Sequence, residues 1–196
     1  QNLENSPGIL AVTQACSHVS RYHFALFASG QLLPYIKGLC SFAVRVFLSA
    51  AVLVKPCPET TRASLAKAMQ VLETMLNALD SEFQAHIHYE ASVLKEFRRL
   101  LSASLDKLNF EELTNVIPVH LLLAYLVHQL PAKVQTLPEF LGMAPAVYVE
   151  ASLLPLWEPQ PALLAAFKEG VAELSVKHHL DPADSPAVAF IIAWSA

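Results

Sequence analysis

The sequence predicts an all-α fold, a multi-helix bundle or short stacked helical array of about seven to nine helices. Three observations carry that prediction. Glycine is rare, with five in the chain, and no Asn-Gly or Asp-Gly hairpin pair or clean alternating apolar run marks a strand. Prolines divide the chain into helix-sized blocks. From Leu65 to Leu108, apolar residues recur at steps of three or four without a slip, which keeps one stripe on one side of a helix.

The elements follow in order. A first block runs from Pro7 to about Ser29, where Gly30 is a natural helix stop. A second covers residues 31–54, with Pro34 acceptable in its first turn. The segment KPCPETT then breaks the chain, and Thr60 or Thr61 offers a cap for the next helix. That helix carries the stripe Leu65, Met69, Leu72, Leu76, Leu79, Phe83, Ile87, Ala91, Leu94, Phe97, Leu101, Leu105 and Leu108; either it runs through or Asp80–Ser81 caps a second helix. Of these residues, Leu72, Leu76, Phe83, Leu94, Phe97 and Leu101 are expected in the core. The block Glu111–Leu130 is broken or bent at Pro118 and ended by Pro131. Pro138 opens a turn to Leu141, Pro145 starts a stretch to Leu154, and LLPLWEPQP is a bend. Pro161–His179 reads as a helix, and DPADSP caps a last one from about Ser185.

Hydrophobic residues make up 54% of the 196 residues and charged residues 15%, against about 25% charged in an ordinary soluble domain. A large interface, a lipid environment or excision from a larger protein would each account for this deficit. The chain begins without Met and closes on the apolar AVAFIIAWSA. Residues 1–196 are therefore expected to form a single helical domain that is a fragment of a longer chain.

Charge excludes several functions. Thirteen Lys and Arg face seventeen Asp and Glu, a net −4, and Lys95, Arg98 and Arg99 are the tightest basic cluster. Nucleic-acid binding requires a basic field that this composition lacks. The apolar run of residues 39–54 is shorter than the roughly 20 residues of a membrane span and has Arg45 at its middle, so it reads as a buried helix. The cysteines Cys16, Cys40 and Cys57 are odd in number and form no CxxC, which argues against a zinc ribbon and favours a reducing compartment, cytoplasm or nucleus.

The richest candidate chemistry lies in SEFQAHIHYEASVLKEF, residues 81–97. On a helix Glu82, His86 and Glu90 stack along one face, while His88 lies on the far side. Helical-bundle metal sites use Glu and His at this spacing, but they need a matching Glu-x-x-His from other helices, and none occurs. His88-Tyr89-Glu90 has the His-x-Glu spacing of a zinc deaminase without the downstream Pro-Cys-x-x-Cys. The residues are therefore expected to be the partly wet flank of a packed helix, with no metal and no cofactor; the remaining reading is a pH-sensing role for His86.

Other candidates are weaker. No phosphate loop, GxSxG or HExxH is present. His178-His179-Leu180-Asp181 resembles the paired residues of metal phosphohydrolases, yet Asp181-Pro182 reads as a helix stop, and histidines suit a helix C-terminus. Ser17-His18 and His23 fall on an Ala/Phe/Leu-rich helix and read as core or boundary residues. His120 and His128 differ by about 80° around a helix and do not share a face.

The expected function is non-catalytic: a helical protein–protein interaction or scaffold module of a larger intracellular assembly, bound to other protein subunits and not to nucleic acid or inserted in a membrane. The alternative is a carrier of an apolar ligand or lipid in a helical cavity. The candidate partner-binding residues are Phe190, Ile191 and Trp194, too large and apolar for a free tail, with the segment at residues 8–12 a second exposed candidate.

Overall fold

A computed structural model of the protein describes residues 29–52, 59–77, 87–130, 140–152 and 161–195. Most of these residues are helical, and no strand occurs among them. The helices are α1 (Ser29–Val52), α2 (Glu59–Asn77), α3 (His88–Ser102), the four-residue α4 (Phe110–Leu113), α5 (Val119–Gln129), α6 (Pro145–Ser152), α7 (Pro161–His178) and α8 (Pro186–Ser195), with a 3₁₀ turn at Leu105–Lys107. The all-α expectation is met. Among the described residues, no helix is long and apolar enough to cross a membrane.

Residue contacts cluster into two compact units. The first contains residues 29–44 of α1 with α2 and α3; the second contains residues 45–52 of α1 and the helices from α4 onward.

In the first unit α2 packs against α3. Most of the described stripe is buried: Leu65, Met69, Leu72, Leu76, Ile87, Leu94, Phe97 and Leu101 lie inside, while Ala91 is half-buried. Leu105 and Leu108 are half-buried, so the stripe loosens past the end of α3. Phe83 and Leu79 lie outside the described residues. The two helices are also joined by Arg98, whose Nε donates to Glu73 Oε1 at 3.0 Å.

In the second unit, α5 is buried on all sides from His120 to Val127, as a helix apolar all round must be. It packs against α7 and α8, α7 packs against α8, and the 3₁₀ turn also rests on α8. Pro118 is the N-cap of α5, and Leu130, the residue before Pro131, is extended at φ −64°, ψ 143°. Both prolines therefore bound the helix, as the sequence predicts. Gly170 of α7 lies so close to Phe140 that an added Cβ would stand 2.8 Å from the Phe140 carbonyl oxygen. Phe140 also meets Phe167, one turn before Gly170, with ring centroids 6.3 Å apart. Glycine is what lets α7 approach that backbone.

Three boundary expectations are corrected. Gly30 does not stop a helix: α1 begins at Ser29 and runs through it. Pro34 therefore falls in the second turn, where the N–H it lacks would have bonded the Gly30 carbonyl four residues back. Glu59 opens α2, so Thr60 and Thr61 lie inside its first turn and not at the cap.

Candidate functional site

The histidine–glutamate stretch divides between surface and core. His88 is exposed, on the far side of the helix as expected, and its Nδ1 is 3.5 Å from Ser92 Oγ. Glu90 is not a wet flank: it is 1% exposed, and its Oε1 has no hydrogen-bond partner. The reason is geometric. At about 100° per residue, Glu90 sits about 20° from Phe97 and about 40° from Leu94, at the centre of the buried face. Ala91, the residue expected to carry the stripe there, is about 100° from Glu90 and only half-buried. Glu90 occupies the first turn of α3, where the unpaired N–H groups favour a negative charge. Burial, then the Glu90 carboxylate, raises the pKa of the neighbouring Tyr89 hydroxyl above its ordinary value. Glu82 and His86 lie outside the described residues, and among the described residues no group of three His, Cys, Asp or Glu side chains could hold a metal ion.

The C-terminal pair serves a turn. His179, the residue after α7, lies in the left-handed region at φ 50°. Asp181 Oδ1 accepts from the Ala183 N–H at 2.9 Å, and the Asp181 N–H donates to Asp184 Oδ2 at 3.2 Å. The Asp184 N–H returns to the Asp181 carbonyl at 2.9 Å. Ser185 then caps α8 through its Oγ, which accepts from the Val188 N–H at 3.2 Å. Asp181 is thus committed to starting α8, the role its Pro-containing surroundings predict.

His120 and His128 sit at opposite ends of α5, about 12 Å apart along the axis. His120 is 6% exposed, and burial lowers its pKa from 6.5 to about 4. Cys40 is a buried thiol. Cys16, Cys57, Ser17, His18, His23 and the segment at residues 8–12 lie outside the described residues.

Against this background the last helix stands out by composition. α8, PAVAFIIAWS, has no charged residue. Its inner side is Ala187, Val188 and Ile191, all buried. Ile191, expected outward with its neighbours, has no accessible surface and anchors the helix in the second unit. Phe190 and Trp194 are about 40° apart on one shoulder and remain half-exposed. Phe190 stacks on Phe110 with centroids 5.4 Å apart and rings tilted by 38°. Lys168 Nζ lies 5.5 Å from the Trp194 ring centroid, within cation–π range.

Beside Phe190 runs an open groove of about 480 Å³. Leu108, Phe110 and Glu111 form one wall; Ala189, Phe190 and Ala193 form the other. Asn109 holds the first wall in place by capping α4, its Oδ1 accepting from the Glu112 N–H at 3.4 Å. The sequence singled out Phe190 but not Phe110, because only packing reveals which ring lies opposite. The groove offers apolar contact area and a single carboxylate. It contains no nucleophile with a base beside it and no pair of facing acids. Comparison with protein-family models, with curated proteins and with solved structures finds no match for this chain.

Proposed function

We propose that this chain is a non-catalytic helical interaction module that binds another protein subunit through α8. The observation carrying the proposal is the uncharged α8, with Phe190 and Trp194 half-exposed on one shoulder above a buried Ile191 and beside an open groove. Aromatic side chains supply much of the energy at protein interfaces when they fill a partner's pocket. A helix held from beneath by Ala187, Val188 and Ile191 presents them with little ordering cost. The groove is open to solvent, whereas a carrier of an apolar ligand works through an enclosed cavity, so this geometry favours the binding surface.

The test is to replace Phe190 and Trp194 together with Ser in the protein expressed in its own cells, then follow co-purification and the thermal midpoint. Loss of a stoichiometric co-purifying subunit from a variant that still folds supports the proposal. Retention of the same subunits at unchanged stability refutes it.

A further inference from the structure

We draw no further inference here: the strongest candidate, the open groove between the Phe110 turn and α8, belongs to the site already described, and nothing in the structure shows what covers it.

Discussion

His120 ties the stability of the second unit to pH. The ring is buried in the first turn of α5, and burial holds its pKa at about 4 instead of 6.5. Unpaired N–H groups at the start of a helix also disfavour a positive imidazolium. The folded protein therefore keeps His120 neutral at pH values where the unfolded chain protonates it. With more protons bound to the unfolded state, stability rises with pH; it is fully present above 6.5 and is lost as pH falls toward 4. The difference of about 2.5 pH units corresponds to about 3 kcal/mol in total, most of it spent by about pH 4.5. Carboxylates titrate in the same range, so the readout must be differential. Urea unfolding is measured between about pH 7.5 and pH 4.5 for the wild type and for His120→Gln, which fills similar space without titrating. The expected result is a variant whose stability falls by about 2–3 kcal/mol less than that of the wild type over this range. Parallel curves would show that the imidazole is accommodated with its proton, and the burial argument would fail.

The remaining predictions concern packing. Leu76→Ala and Phe97→Ala should each lower the unfolding free energy by about 2–5 kcal/mol in urea titrations; a loss under about 0.5 kcal/mol at both would mean the α2–α3 stripe is not a core. Gly170→Ala should destabilise by about 1–3 kcal/mol although alanine is the better helix former by about 1 kcal/mol, because the new methyl meets the Phe140 carbonyl; a higher thermal midpoint would contradict the close approach. Glu90→Met should stabilise by about 1–3 kcal/mol, since it removes a buried carboxylate oxygen that has no partner; a large loss would show that the carboxylate is satisfied in solution.

The helical class and most helix limits were legible because local rules dominate there. Proline before a helix, a residue forced extended before proline and a serine cap act within a few residues, so Pro118, Leu130 and Ser185 behave as their neighbours dictate. The start of α1 departs from the sequence expectation because glycine is only a preference at a helix end. Glycine inside a helix costs only about 1 kcal/mol relative to alanine, so Gly30 does not by itself end one. Glu90 departs from its expected place for a different reason. Polar identity suggested solvent, but position on the helix put it at the centre of the apolar face, and the angular reading was the stronger signal. Seven residues separate Glu90 from Phe97 and eleven from Leu101, both spacings that return to one side of a helix.

The second unit shows where sequence reasoning loses reach. Apolar composition marked α8 as unusual, but it could not divide that helix into an inner and an outer side, since every candidate position was apolar. The division comes from α5, α7 and the 3₁₀ turn, which pack against α8. Ile191 ends up with no exposed surface, while Phe190 and Trp194 keep part of theirs. On the proposed reading, Ile191 would affect binding through the fold, whereas Phe190 and Trp194 would affect it directly. Ile191→Ala is therefore the wrong probe of a partner surface: a cavity there costs about 2–5 kcal/mol and would weaken binding by loosening the helix. The shoulder residues separate the two effects, and that separation exists only because the rest of the unit holds α8 in place.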